Sequence, residues 1–262
     1  MRSALKPVVL VGAVWLGCAA YIAAQTDFEW RGQLAAGQSI EIKGINGDVR
    51  AVAGRGNEVE VTATRSARRS NPADVRFEVA AHTGGVTICA IYPAASGQPA
   101  NECQAGPGGR FSSSNNDTVA DFTVRVPPGI GFIARTVNGS VDGEALQANA
   151  EGYTVNGSIR LATTGLARAT TVNGSITASM GRADWPEGAS FKTVNGEITL
   201  SLPPVVNADV RAEAVNGHIR SALPITLTGP TNGRRLEGTL GSGGRQLALS
   251  TVNGSITLLK SQ

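Results

Sequence analysis

The chain has 262 residues, 33 of them glycine, with 16% charged and 5% aromatic side chains. That length can bury a core in one or two domains. The low charge and the abundance of Gly, Val, Ile and Thr exclude a helical bundle and point to an all-β protein, and a formal charge of +3 is no signature of a nucleic-acid binder.

Residues 1–24 differ from the rest. Arg2 and Lys6 precede an uncharged apolar run from Val8 to Ala24. A basic start followed by an apolar run predicts a secretory signal, cleaved after Ala24. Two alternatives stand beside it. Cys18 could carry a lipid, or the run could remain as an anchor at the short limit of about 17–25 residues for a membrane span. Cleavage would remove two of the 23 basic residues and leave one more basic than the 20 acidic ones. The expected location is outside the cytoplasm, in the envelope or at the cell surface, with membrane contact only through this segment.

Residues 25–130 read as an N-terminal β region. Alternating stretches predict strands at Ser39–Ile45, Asp48–Val52, Glu58–Thr64, Asp74–Ala80, Gly85–Ile91 and Ala120–Val126. The cluster Arg65, Arg68, Arg69 reads as a solvated loop. Cys89 and Cys103 bracket a strand end and a Pro/Gly/Ser/Asn loop. In an oxidising compartment so close a pair forms a disulfide. Closing about 15 residues is worth about 3 kcal/mol in the chain-entropy picture. Free thiols and metal ligation are the alternatives, and no spacing here resembles a zinc site. The stretch 93–118 is loop-like.

From residue 131 to 262 a repeat takes over. The sequence TVNGSI occurs at 154–159, 171–176 and 251–256, with variants TVNGSV, TVNGEI and AVNGHI at 136–141, 193–198 and 214–219. An earlier echo is GINGDV at 44–49. The repeated pairs are Asn46-Gly47, Asn138-Gly139, Asn156-Gly157, Asn173-Gly174, Asn195-Gly196, Asn216-Gly217 and Asn253-Gly254. Intervals of 18, 17, 22, 21 and 37 between Asn138 and Asn253 are those of a solenoid. The last interval reads as one coil with an excursion over 221–249, rather than two coils.

Aligned on Asn, the third residue after it is Val or Ile. The second and fourth are polar. This alternation marks a half-buried strand. Asn-Gly reads as the turn, because Gly accepts positive φ and Asn tolerates it. The expected fold is an all-β solenoid or β-helix with coils of about 17–22 residues and Asn-Gly corners, continuous with the preceding region. An antiparallel hairpin meander or sandwich is the alternative. Hairpin pairing would set Arg135 against Asp142 and Glu213 against Arg220. Coil stacking would set Asp142 beside Arg160, Thr177 beside Thr199 and Lys192 beside Glu213. The near-identity of the corners favours stacking, in which Asn ladders over Asn.

The repeated TVNGSI corners, after an ICAIYP…C segment and a VRVPPG strand, resemble the bacterial putative adhesin domain of unknown function. A relative is the adhesin head domain named for Gly-Ile-Asn, here Gly44-Ile45-Asn46. The resemblance covers roughly residues 28–260. It implies a β-solenoid of the envelope or cell surface and supplies no catalytic residues.

Nothing in the repeat spells chemistry. Its Asn-Gly-Ser corners are formal glycosylation sequons, but turn geometry accounts for them. His218 replaces a Ser and reads as a surface substitution; His82 reads as a turn residue. Glu144, Glu151, Asp184, Glu187, Asp209 and Glu213 form no acidic row. Tyr153 and Trp185 are isolated aromatics, with Trp185 the lid of a coil, and Phe132 and Phe191 core. No cofactor is implied and no enzyme is expected. The partner would be an envelope or surface protein or a glycan. The alternatives are a carbohydrate-active enzyme on the same scaffold or a self-associating structural protein. The last corner ends at Ile256, which predicts an open solenoid end. Residues 221–249 would fold over it, with Lys260 deterring strand pairing.

Overall fold

A computed structural model describes residues 27–186, 188–229 and 231–261. The segment 1–24, including Cys18, lies outside the described residues. The N-terminal strands are β1 (Phe28–Gln33), β2 (Ser39–Lys43), β3 (Val49–Ala53), β4 (Glu58–Ser66), β5 (Arg76–His82), β6 (Gly85–Ile91) and β7 (Val119–Val126). The repeat supplies β8 (Gly131–Arg135), β9 (Val141–Leu146), β10 (Ala150–Tyr153), β11 (Ile159–Thr163), β12 (Ala167–Thr170), β13 (Ile176–Met180), β14 (Ala189–Lys192) and β15 (Ile198–Leu202). The chain ends with β16 (Ala208–Asn216), β17 (Ile219–Ser221), β18 (Ile225–Leu227), β19 (Arg235–Leu240), β20 (Arg245–Asn253) and β21 (Ile256–Lys260).

These strands form two sheets. The first runs β1-β4-β7-β3-β9-β11-β13-β15-β21-β17, the second β18-β19-β16-β20-β14-β12-β10-β8-β2-β6-β5. Each Asn-Gly corner carries the chain from the second sheet to the first. Successive coils pair in parallel, as β8 with β10 and β10 with β12. The fold is therefore a β-solenoid, and the hairpin alternative fails at every corner. Antiparallel pairing is confined to the ends, where β1, β4 and β5 flank one side and β19 and β18 the other.

The core follows from the alternation. Val49, Val141, Ile159, Ile176, Ile198 and Ile256 stack in one inward row, each no more than 1% exposed. Facing them across the coil are Ile42, Ala134, Gly152, Ala169, Phe191, Leu249 and Ala212, all buried. At the Asn156 coil a small residue faces a large one: a Cβ on Gly152 would sit 2.8 Å from Ile159 Cγ2. Each fully buried Ile or Leu contributes about 1.5–3 kcal/mol.

Three expectations need correction. First, space does not follow sequence. The corner Asn253 lies between Asn195 and Asn216, because β20–β21 inserts between β14–β15 and β16–β17. Lys192 is thus beside Ser250, not Glu213. Asp142 does meet Arg160 at 2.8 Å, and Thr177 lies beside Thr199. The same inversion occurs at the other end, where β2–β3 lies between the coil β6–β7 and the coil β8–β9.

Second, Ile256 is not at the open end, since β21 pairs on both sides. Within residues 221–249, β19 and β18 cap the second-sheet side of the Asn216 coil instead, while β17 is the edge of the first sheet. β19 runs antiparallel to β16, and Gly233 and Arg234 carbonyls accept from the N–H of Ile219 and Ala214. Lys260 is the last residue of an internal strand rather than an edge.

Third, the corner glycines do not serve a left-handed turn. Among corner residues only Gly47 and Gly254 have φ between +20° and +160°, at 129° and 155°. Gly is required by close approach. A Cβ on Gly139, Gly157, Gly174, Gly196, Gly217 or Gly254 would lie 1.8–2.0 Å from the carbonyl oxygen of the neighbouring corner's Gly. Replacing Gly174 by Ala therefore has no relaxed solution, and a loss of about 3 kcal/mol or more is expected. Val172→Thr on the exposed side of the same corner should stay within about 0.5 kcal/mol. Urea unfolding midpoints of the two variants measure the contrast.

Candidate functional site

The corner residues come together in one line. Each Asn side chain donates from Nδ2 to the Oδ1 of the next: Asn138 to Asn46, Asn156 to Asn138, Asn173 to Asn156, Asn195 to Asn173, Asn253 to Asn195 and Asn216 to Asn253, at 2.7–2.9 Å. The ladder is polar and directional. Its first rung ends on protein, where the Asn46 amide reaches the Thr118 carbonyl and Tyr92 Oη lies 3.0 Å from the Asn46 carbonyl.

The flanking letters of TVNGSI each have a partner. Thr136, Thr154, Thr171, Thr193 and Thr251 donate from Oγ1 to the Gly carbonyl of the neighbouring corner at 2.8–3.1 Å. Ser158, Ser175 and Ser255 accept from the backbone N–H of Ser175, Glu197 and His218. The Ser position thus closes a backbone donor as well as facing water. His218 supplies only its N–H to this row. Val155, Val172, Val194, Val252 and Val215 form an exposed ridge, 37–48% accessible. The corner edge is architecture, with its polar groups committed to neighbouring corners everywhere but at the outermost pair, Asn216-Gly217.

A second cluster lies on the outer face of β2 and β8. Cys89 and Cys103 form a disulfide with Cα atoms 5.7 Å apart, which holds the loop after β6 over that face. Beneath it Glu41 is buried. It accepts from Arg135 Nε at 2.8 Å, Thr87 Oγ1 at 2.9 Å and the Gly106 N–H at 2.7 Å. Lys43 Nζ donates to the carbonyls of Gln104, Gly106 and Gly108, and burial lowers its pKa. Arg135 stacks 4.0 Å above the Tyr153 ring, whose hydroxyl donates to Glu151. These charges fasten the loop. Tyr153 and Arg135 are legible as outward positions, but the burial of Glu41 and Lys43 beside them depends on a loop with no repeat signal.

The basic cluster at 65–69 is held through its backbone. The Asp117 carboxylate accepts the backbone N–H of Arg68, Arg69 and Ser70 at 2.9–3.4 Å, and those bonds hold its pKa down. His82 accepts the Gly84 N–H within its turn and meets Thr87 Oγ1 at 3.2 Å.

The repeat breaks at the opposite edge. There the connections after β9 and β11 are short, but those after β13 and β15 lengthen. Together with the turn before β20 they enclose a cleft of about 580 Å³. Its apolar lining includes Trp185, Pro203, Val205 and Val206, and its basic groups are Arg182 and Arg245. Trp185 is fully buried as the lid of its coil, and its Nε1 has no partner among the described residues. Val205 is 84% exposed. Asp184 is ion-paired with Arg182. A shallower groove of about 280 Å³ holds Asp209 and Glu237. Asp209 accepts from Thr239 and Gly244, and Glu237 lies within 3.5–3.8 Å of Arg211 and Arg235. Among the described residues no group of three His, Cys, Asp or Glu is placed to hold a metal, and no helix is long and apolar enough to cross a membrane.

This laddered two-sheet architecture has a family counterpart. Residues 137–259 match the family described as Toastrack DUF4097. The match covers the corners from Asn138 to Asn253 and so the whole ladder except Asn46. The chain is similar to two solved structures. One is a putative cell adhesion protein from Clostridium sporogenes, at 10% identity and TM-score 0.46, over 89% of this chain and 99% of that one. The other is a putative adhesin from Bacteroides fragilis, at 11% identity and TM-score 0.32, over 89% and 98%. No curated protein matches the chain.

Burial raises the Tyr92 and Tyr153 hydroxyls to about 12, with the bond to Glu151 assisting at Tyr153. An unfolded Tyr ionises near pH 10. Stability from these two groups is therefore complete below about pH 10 and is lost as pH rises through about 12. Alkaline titration at the tyrosinate absorbance should show both ionising late and together with loss of the β circular-dichroism signal. Early ionisation near pH 10 in a folded chain would contradict the burial.

Proposed function

We propose that this protein is an exported, non-enzymatic interaction module of the cell envelope or surface, binding through the cleft where the repeat breaks. The carrying observation is the division of labour between the two solenoid edges. Polar groups along the corner edge, short of its outermost pair Asn216-Gly217, are spent on the ladder. The opposite edge gathers lengthened connections, an exposed Val205 and Arg245 around a cleft. Specific recognition prefers such loops held by a rigid scaffold.

Export is supported by the apolar N-terminal run and by the disulfide, which persists in oxidising compartments. The partner class is an envelope protein or glycan. A carbohydrate-active enzyme would need two carboxylates flanking a scissile bond. Asp209 and Glu237 share a groove but are engaged by neighbouring donors, so binding without turnover is the better reading. Antiparallel strands cover both ends of the second sheet and one end of the first, which favours a largely capped particle over end-to-end assembly.

The test uses glycan arrays and pull-downs from envelope fractions with three proteins: the unaltered chain, Val205→Asp/Arg245→Glu, and Val172→Thr. The cleft variant should lose at least about tenfold in affinity, the effect of removing roughly 1.4 kcal/mol of contacts. The ridge variant should bind as the unaltered chain does. Equal binding by all three, or cleavage of a bound glycan, would overturn the proposal.

A further inference from the structure

Eight Asn-Gly pairs occur in this chain, the seven corners and Asn232-Gly233. Asn-Gly is also the dipeptide most prone to spontaneous deamidation. The backbone nitrogen of Gly attacks Asn Cγ; the N–Cγ bond forms, the Cγ–Nδ2 bond breaks and ammonia leaves. Water then opens the succinimide at either carbonyl to give Asp or isoAsp. The only co-reactant is water. A chain that repeats this dipeptide is chemically exposed unless its fold prevents the attack.

The corners prevent it in two ways. The attacking nitrogen is occupied: the N–H of Gly47, Gly139, Gly157, Gly174, Gly196 and Gly254 donates to the Asn carbonyl of the next corner at 2.9–3.1 Å. The target is clamped as well, because each interior Asn side chain donates to one neighbour and accepts from the other. Attack requires Cγ to swing onto the Gly nitrogen. That breaks both side-chain bonds and the backbone bond, so the rung must open first.

The last rung in space lacks these restraints. Asn216 is exposed. It donates to Asn253, but among the described residues nothing donates to its Oδ1, and the Gly217 N–H has no acceptor. Among the described residues no further corner stacks here to supply both; Gly233 and Arg234 cross there antiparallel and bond Ile219 and Ala214 instead. We infer that Asn216-Gly217 is a built-in deamidation site, the one corner at which the ladder leaves this chemistry open.

The consequence is directional. Conversion of Asn216 removes the Nδ2 donor to Asn253 and places a carboxylate against the Asn253 Oδ1. An isoAsp product also adds a backbone carbon at the corner whose carbonyl accepts the Gly254 N–H. Asn253 then becomes the terminal rung and acquires the same exposure. Damage would proceed from this end inward, while the Asn46 end stays closed by Tyr92 and Thr118.

The experiment incubates the whole folded chain at mildly alkaline pH and follows Asp and isoAsp at each site by peptide mass mapping and isoaspartyl methyltransfer. A parallel sample is held in urea. In the folded chain, conversion at Asn216 should exceed that at Asn156, Asn173 and Asn195 by at least about tenfold, the rate ratio expected when a packed rung must open by a further 1.4 kcal/mol or more. In urea the four sites should converge. Equal rates in the folded chain, or a difference that persists in urea and so belongs to the local sequence, would overturn the inference. Asn232-Gly233, in the loop, gives an internal reference for an unladdered pair.

Discussion

The structure depends on one steric constraint: neighbouring corners approach so closely that only Gly fits. The carbonyl of one corner Gly occupies the space a Cβ of the next would need, at 1.8–2.0 Å. That approach lets each Gly N–H reach the next Asn carbonyl and sets the Asn side chains one strand spacing apart, about 4.8 Å. At this separation identical amides can donate and accept in sequence. The ladder is thus a product of backbone stacking, and the Asn residues add to a register that Gly permits. Thr on one side and Ser on the other close the remaining groups of the same corner.

That constraint also explains why the motif is spelled the same way so often. A hairpin turn needs a suitable dipeptide at each turn, with no demand that distant turns agree. A stacked corner must match the corner above and the corner below. Where no second Asn-Gly corner lies on one side, the spelling relaxes. The outermost corner has Ala214 in place of Thr and His218 in place of Ser, and the corner nearest the disulfide loop has Gly44 and Asp48 at those positions. Only these two corners depart at both the Thr and the Ser position, and they are the two ends of the ladder in space, although Asn216 is not the last corner in sequence.

Much of this was legible in the residues and some was not. Period-two alternation identified the inward row from Val141 to Ile256 because side-chain direction in a strand is local. Like-on-like corners favoured parallel stacking for the right reason. The order of the coils was hidden, because Asn195, Asn216 and Asn253 are interchangeable as letters; only the failed Lys192–Glu213 pairing hints that another coil stands between. The role of Gly was misread because positive φ and close approach select the same residue. The buried Glu41–Arg135–Lys43 fastening was invisible because it needs a non-repeating loop to cover it. The cleft at residues 181–186, 203–207 and 244–245 sits where the intervals between corners lengthen, and that lengthening was the readable sign.

The inserted coil gives the account its sharpest check. Val194 and Val252 occupy adjacent corners, linked through the Asn253 N–H and the Val194 carbonyl, whereas Val215 lies one corner further. Two double variants, Val194→Cys/Val252→Cys and Val194→Cys/Val215→Cys, can be oxidised and mapped. A disulfide requires Cα atoms within about 7 Å, so one strand spacing allows it and two do not. The account predicts a 194–252 crosslink and none between 194 and 215. The reverse result, a 194–215 crosslink with 194 and 252 left reduced, would contradict the spatial order on which the ladder, its exposed end and the cap at 221–249 all rest.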